Sequence, residues 1–152
     1  MMLRTATRRD LPAVLALLAD EERVVDPASV VPGPRHERAF AAIEADPRNE
    51  MLVLTSDSGA DAALILGCVQ LTYIPGLGQE GRERVLVEAV RVRADRRGEG
   101  LGARLMELVV DRARARDCGL VQLTSNKRRT AAHRFYERLG FTRSHEGFKL
   151  RL

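Results

Sequence analysis

The chain has 152 residues, of which 45% are hydrophobic and 30% are charged, and its formal net charge is +4. This length predicts one domain, residues 1–152, with a core large enough to fold without metal or disulfide staples. No run of 18 apolar residues occurs, and the first ten residues hold no long apolar stretch. We therefore expect neither a membrane-spanning helix nor a secretory signal, and we expect a cytoplasmic protein.

The hydrophobic pattern alternates between the periods of strands and helices. In chain order it predicts a strand over 3–7, helices over 9–22 and 35–46, strands over 51–56, 62–74 and 84–92, a helix over 100–119, a strand over 120–125, a helix over 130–140 and a closing strand over 147–152. Asp10 is the candidate N-cap of the first helix, and Gly119 is the candidate stop of the third. Three consecutive strands followed by strand–helix–strand crossovers predict a mixed sheet with helices on its faces, in the α+β class.

The stretch RRGEGLG, residues 96–102, places three glycines between a predicted strand and a predicted helix. It lacks the Gly-Lys-Ser/Thr of a P-loop. Gly98, Gly100 and Ala103 match a dinucleotide fingerprint, but no acidic residue follows about 20 residues later to bind a ribose. A third interpretation is a pyrophosphate cradle, because glycines let an anion approach the backbone while Arg97 and a helix N-terminus favour negative charge. A tight turn with solvated arginines is the alternative, and the spacing alone leaves it open.

The same stretch resembles the R/Q-x-x-G-x-[G/A] signature of the GNAT superfamily of N-acetyltransferases, with Arg97, Gly100 and Gly102 at its defined positions. A second stretch, LTSNKRRTAAHRFYERLGF, resembles the C-terminal motif of that superfamily, so the resemblance covers about residues 85–141. It implies the acyl-CoA N-acyltransferase fold, with a mostly antiparallel sheet, and acetyl-CoA as cosubstrate. It also implies a set of CoA-binding residues, namely Val90, Arg91, Val92, Arg97, Gly98, Glu99, Gly100, Leu101, Gly102, Ala103, Asn126 and Tyr136.

The resemblance gives these residues distinct roles. Backbone groups near Val90 and Val92 pair with the pantetheine arm, and the N–H groups of residues 98–103 bind the pyrophosphate. Asn126 donates a hydrogen bond to the CoA arm. From the sequence pattern alone, the two valines are core residues and Asn126 is a turn residue.

Direct acetyl transfer needs a base for the incoming ammonium and an acid for the departing thiolate. Glu88 is the candidate base. Strand alternation places it on one face with Val90 and Val92, where desolvation favours its protonated form, although a bulge in the strand would change that face. The alternative is a water-facing glutamate.

Tyr136 is the candidate acid, because it matches the family tyrosine that faces the CoA sulfur. It also lies on the apolar stripe of its predicted helix with Phe135 and Leu139. Without the resemblance, that position predicts a core tyrosine. His133, one turn earlier, is interpreted as a surface residue outside the catalytic set.

The features together predict an N-acetyltransferase that moves the acetyl group of acetyl-CoA directly to a primary amine, on a small molecule or a protein. The alternative is a non-catalytic acyl-CoA-binding regulatory module of the same fold. A nucleic-acid binder is not expected, because only 4% of the residues are aromatic and no stacking motif accompanies the basic residues. The oligomeric state stays open, with a homodimer among the options.

Two further patterns lie outside these motifs. Residues 20–23 (DEER) and Asp26 form either a negative lining of the acceptor mouth, which would favour cationic amines, or a solvated helix end. Cys68 and Cys118 lie in or beside apolar runs and outside any metal-binding cluster, so we expect two buried thiols and no metal site.

Overall fold

A computed structural model describes residues 1–20, 23–57 and 64–152. The chain forms two compact units, Met1–Gln122 and Leu123–Leu152. The expectation of one domain over residues 1–152 stays a prediction. Within the described ranges, none of the helices has the length and apolar character needed to cross a membrane.

Four α-helices and five strands make up the regular structure of the described residues. They are β1 Met2–Thr5, α1 Leu11–Ala19, α2 Pro34–Ala45, β2 Asn49–Thr55, β3 Ile65–Ile74, β4 Arg84–Val92, α3 Leu101–Ala115, β5 Leu120–Leu123 and α4 Thr130–Arg138. The strands form one sheet in the order β1-β2-β3-β4-β5, and each of the first four runs antiparallel to its neighbours among them. This mixed sheet with its helices confirms the predicted α+β class.

The centre of the sheet is buried on both faces. In β2, the consecutive residues Leu52, Val53 and Leu54 are fully buried. Successive side chains of a strand point to opposite faces, so such a run needs cover on both. One cluster joins α1 and α2 to β2 and β3 through Leu11, Val14, Leu17, Phe40, Met51, Val53 and Cys68. Helix α3 also packs on β3 and β4 and buries Leu105, Met106 and Val109.

Helix α3 ends four residues before the predicted stop at Gly119. Its last residue is Ala115, and the chain then turns through Asp117, whose φ of +58° is left-handed. Gly119 serves a different purpose. Its N–H donates to the carbonyl of Glu83 at 2.8 Å, and a Cβ there would lie 2.8 Å from the Cβ of Gln79. Glycine is therefore required for close approach of two backbones rather than for ending the helix.

The closing strand predicted over 147–152 is wrong, because the structure gives these residues no strand. Phe148, Leu150 and Leu152 alternate with charged residues as strand residues do, yet all three side chains are exposed. Alternation predicts which face a strand would bury, but a strand also needs a neighbour to bond to. The first helix also ends earlier than predicted, at Ala19. Residues 21–22 of that predicted helix and 62–63 of the third predicted strand lie outside the described ranges.

Arginines attach α3 to the sheet. Arg112 Nε donates to Glu50 at 2.6 Å, and the Tyr73 hydroxyl donates to the same carboxylate at 2.9 Å. Arg116 lies 3.9 Å from the centroid of the Tyr73 ring and pairs with Glu83 at 2.7 Å. Burial alone would raise the pKa of Glu50, but the hydrogen bonds from Arg112 and Tyr73 bring it below its usual value. Burial and the Glu50 bond raise the pKa of Tyr73 to about 12.

Asp10 lies at the N-cap position of α1, as predicted, but its side chain ties β1 to the turn before the helix. Its carboxylate accepts hydrogen bonds from Arg4 at 2.7 and 2.9 Å and from the Thr7 N–H at 2.7 Å, and it makes no cap bond to α1. These bonds, chiefly that of Arg4, lower the pKa of Asp10 to about 2.

We expect Asp10→Asn to destabilise the fold more at neutral than at acidic pH. The folded-state pKa lies below the usual 3.8, so the stabilisation is present above about pH 4 and is lost as the pH falls through about 2. Urea denaturation should show a loss of about 1–2 kcal/mol at pH 7 and about half of that at pH 3. The control Asp111→Asn removes an exposed pair with Arg114 and should change stability by less than about 0.5 kcal/mol. An equal loss at both pH values would contradict a role for the Asp10 charge.

Candidate functional site

Strand β4 carries a β-bulge. Two consecutive residues, Ala89 and Val90, lie opposite the single residue Val69 of β3. Ala89 has a φ of +54°, in the left-handed region that non-glycine residues seldom adopt. A bulge leaves an extra residue out of the hydrogen-bonded ladder and re-aims the side chains that follow it. The bulge therefore interrupts the regular ladder between β3 and β4 at Ala89 and Val90.

The bulge corrects the expected position of Glu88. Alternation placed Glu88 on one apolar face with Val90 and Val92, but the register shift between them puts Val92 on the face opposite to that of Glu88. Glu88 lies opposite Gln70 and is exposed. The expected desolvation by an apolar face is therefore wrong, and the water-facing alternative holds. The carboxylate is open to an approaching cation.

The end of β4 leads directly into the glycine loop. Residues 90–92 are half-buried, and the Val90 carbonyl accepts a hydrogen bond from the Arg91 side chain at 2.9 Å. The Arg93 N–H donates to the Leu66 carbonyl at 3.0 Å, so bonding to β3 extends one residue beyond the strand. A 3-10 turn, Ala94–Arg96, follows at once. The loop is therefore fixed to the sheet where it begins.

The glycine loop holds open the N-terminus of α3. Gly98 and Gly100 have φ values of +86° and +79°, and a Cβ on either would meet no atom within 4 Å. Gly100 is the N-cap and provides no side-chain cap. The first helical bond runs from the Arg104 N–H to the Gly100 carbonyl at 3.0 Å, so the N–H groups of residues 101–103 precede the intrahelical ladder. The space before these donors suits an anion.

Arg97, predicted to bind the pyrophosphate, is anchored to the end of α1. Its Nη2 donates to the main-chain oxygen of Asp20 at 3.0 Å and lies 3.4 Å from the Asp20 carboxylate. The Arg97 side chain is still 45% exposed. The Glu99 carboxylate pairs with Arg96 at 3.8 Å. The group of Glu99 that can bind an anion is therefore its backbone N–H.

Asp20, which the sequence analysis grouped with the charged run over residues 20–23, is buried at the end of α1. Its side chain is 2% exposed and accepts a hydrogen bond from the Ala94 N–H at 2.9 Å. The expectation of a solvated helix end is therefore wrong for Asp20, and the lining of an acceptor mouth stays a prediction. Glu21 and Glu22 of the same run lie outside the described residues, and Asp26 is exposed and accepts a bond from the Ala28 N–H. No local pattern signals a contact between residues 74 positions apart.

The unit Leu123–Leu152 holds the other two predicted residues. Asn126 is exposed, and its side-chain oxygen accepts a hydrogen bond from the Arg128 N–H at 2.9 Å, which is the geometry of a turn asparagine. The adjacent Ser125 Oγ is buried and has no hydrogen-bond partner among the described residues. A buried hydroxyl in that state suits a ligand that supplies the missing bond.

Tyr136 is half-buried on α4. Its ring meets those of Phe135 and Phe141 edge-on, with centroids 5.1 and 5.9 Å apart. These contacts orient the ring, as either a core tyrosine or a positioned acid requires. His133 Nε2 lies 2.9 Å from the Asn126 carbonyl and so takes part in the same turn.

The cysteines have no partner in a disulfide. Cys68 is buried, and burial raises the pKa of its thiol to about 12, whereas Cys118 is only half-buried, so the expectation of two buried thiols is wrong for Cys118. Within residues 1–20, 23–57 and 64–152, no group of three or more His, Cys, Asp or Glu is placed to hold a metal ion.

Comparison with known proteins relates the chain to one family of acetyltransferases. The model of the Acetyltransferase (GNAT) family matches residues 12–141. A transcriptional regulator from Bacillus halodurans C-125 is 38% identical over 99% of both chains, with a TM-score of 0.84. A protein from Agrobacterium tumefaciens str. C58, named as an acetyltransferase, is 27% identical over the whole of both chains, with a TM-score of 0.82. An acetyltransferase from Trypanosoma brucei, 24% identical over 99% of both chains with a TM-score of 0.75, shows the fold alone. No curated protein matches the sequence.

We expect Gly100→Ala to destabilise the fold although space is available for its methyl group. The cost is conformational, because a φ of +79° strains a residue with a Cβ, and it amounts to about 1 kcal/mol. The control Gly78→Ala also meets no atom within 4 Å, but its φ is −67°, so stability should stay the same or rise slightly. Thermal unfolding distinguishes the two variants, and equal melting temperatures would contradict the strain.

Proposed function

The chain belongs to the Acetyltransferase (GNAT) family, and from this premise we propose that it is an N-acetyltransferase that moves the acetyl group of acetyl-CoA directly to a primary amine. The observation that carries the proposal is the glycine loop, where Gly98 and Gly100 leave open space before the uncapped N-terminus of α3. A pyrophosphate fits there because a Cβ would occupy the space and the exposed N–H groups favour negative charge.

The proposed cosubstrate site has two parts, each supported within its own unit. In the first, N–H groups of residues 98–103 bind the pyrophosphate, and backbone groups near Val90, beside the bulge, bind the pantetheine arm. In the second, the orphaned Ser125 hydroxyl and the amide NH₂ of Asn126 can donate hydrogen bonds to a ligand. Arg97 adds a half-exposed guanidinium to the first part.

Glu88 and Tyr136 take the proposed roles of base and acid. The incoming ammonium must lose a proton before its nitrogen can attack the acetyl carbon, and the exposed Glu88 carboxylate can accept that proton directly or through a water. The departing sulfur then needs a proton, and the Tyr136 hydroxyl can donate one from a ring held by two phenylalanines. The acceptor is a small-molecule or protein amine, and Glu88 favours one that arrives as a cation.

A second candidate function has one observation in its favour. The relative that is 38% identical over 99% of both chains bears the name of a transcriptional regulator. The corresponding proposal for this chain is a regulatory module that binds acyl-CoA without transferring the acetyl group. Both candidates require the glycine loop, and only the enzyme requires Glu88 and Tyr136.

We expect acetyl-CoA to stabilise the protein against heat. At 100 times its dissociation constant a ligand of the folded state adds about 2.7 kcal/mol, which raises the melting temperature of a chain of this size by several degrees. NAD at the same concentration is the control and should have no effect, because the loop lacks the ribose-binding acid of a dinucleotide fold. A shift with NAD and none with acetyl-CoA would overturn the proposed function.

Substitution of the two proposed proton-transfer residues separates the enzyme from the regulator. With an acceptor found by screening amines for thiol release, Tyr136→Phe should lower turnover by roughly 10²-fold while CoA affinity changes little, because only the hydroxyl is lost. Glu88→Gln should lower turnover and remove the acidic limb of the rate–pH profile. His133→Gln is the control on the same helix as Tyr136. A full rate in Tyr136→Phe would assign that residue to packing, and binding without turnover of any amine would favour the regulator.

A further inference from the structure

We infer that Asp20 is a positioning residue of the CoA site, which acts by holding the glycine loop rather than by touching the ligand. The inference rests on the proposed function. The Asp20 carboxylate bonds to the Ala94 N–H at 2.9 Å, and Ala94 begins the turn that leads to Arg97 and Gly98. The residue lies at the end of α1, so it joins that helix to the start of the loop.

Because Asp20 is buried, loss of the hydrogen bond between its carboxylate and the Ala94 N–H would cost free energy of folding. The Asp20 side chain is 2% exposed, and a buried carboxylate without partners loses its hydration with nothing in return. It is compensated by the Ala94 N–H and by Arg97, whose Nη2 lies 3.4 Å from the carboxylate. The same bonds fix the positions of the Ala94 N–H and the Arg97 guanidinium. A carboxylate in this position therefore orders the loop in a way that no exposed acid could.

A second hydrogen bond, made by the residue before Ala94, ties the start of the loop to β3. The Arg93 N–H donates to the Leu66 carbonyl of β3 at 3.0 Å, one residue before Ala94. Two consecutive N–H groups are thus held by two different elements, β3 and the end of α1. Together they fix the direction in which the chain enters the 3-10 turn at Ala94 and, seven residues later, the N-terminus of α3.

The Asp20 side chain acts on the backbone more than on Arg97. The shorter Arg97 bond, 3.0 Å, goes to the main-chain oxygen of Asp20, which every substitution retains. The carboxylate bond to the Ala94 N–H is the one that a substitution removes. An acceptor at position 20, charged or neutral, should therefore preserve the loop. Without such an acceptor, an anion should bind the loop less tightly, because the N–H groups of the loop must then become ordered when the anion binds.

The test compares two substitutions whose side chains have the same number of heavy atoms and the same branching at Cγ. Asp20→Asn keeps an acceptor for the Ala94 N–H, and Asp20→Leu removes it. Titration calorimetry should give Asp20→Leu a dissociation constant for CoA about tenfold above that of the wild type, which is a difference of about 1.4 kcal/mol. Asp20→Asn should stay within about threefold of the wild type. Pantetheine, which lacks the pyrophosphate, should bind both variants as it binds the wild type. Asp46→Ala is the control, since Asp46 accepts a backbone bond from Arg48 at 2.9 Å in an exposed turn.

Amide hydrogen exchange, measured without ligand, tests whether Asp20 orders the loop independently of whether the protein binds CoA. Residues 94–103 should exchange faster in Asp20→Leu than in the wild type and in Asp20→Asn. If Asp20→Leu does not fold, Asp20→Ala replaces it. Unchanged exchange, or an equal loss of affinity for CoA and pantetheine, would overturn the inference. If exchange is faster in Asp20→Leu but the wild-type protein binds no CoA, the result would instead overturn the proposed function, and with it the assignment of this loop to CoA.

Discussion

The left-handed backbone of Ala89 is the constraint on which the site depends. A residue with a Cβ in this conformation costs roughly 1–2 kcal/mol, so it persists only where its surroundings fix it. Here the ladder with β3 continues on both sides of the bulge and holds it in place. The extra residue puts Val92 on the face opposite to that of Glu88 and brings the end of β4 to the point where Arg93 can still bond to β3. The face of Val92 and the entry into the glycine loop therefore share one cause.

The proposed anion site that follows the bulge consists of backbone N–H groups rather than of unpaired positive charge. Each arginine of the loop has an acidic neighbour, in the pairs Arg93–Asp95, Arg96–Glu99 and Arg97–Asp20. Positive charge near the loop is thus largely balanced before a ligand arrives. What favours an anion is the direction of the N–H groups at the start of α3, and direction depends on the anchors that hold the loop.

The sequence allowed the elements and the glycine loop to be predicted, because both depend on local patterns. The bounds of β4, residues 84–92, were predicted to the residue, and the open N-terminus of α3 lies where the glycines indicated. What failed depended on partners distant in sequence. The face of Glu88 depends on the register with β3, the burial of Asp20 on a residue 74 positions away, and the closing strand on a neighbour that alternation cannot supply. Periodicity carries no information on any of these.

The ion pairs that attach α3 to the sheet have a chemical consequence, because their cations are all arginine. Only two lysines, Lys127 and Lys149, occur among the 25 basic residues of the chain. A lysine amine can be acylated and then loses its charge, whereas a guanidinium stays protonated and is a poor nucleophile. A protein that holds a reactive thioester near its own surface would modify lysine-based pairs over time. Arg112 and Arg116, which bond to Glu50 and Glu83, offer no such amine, so under the proposed function the attachment of α3 would be inert to the thioester.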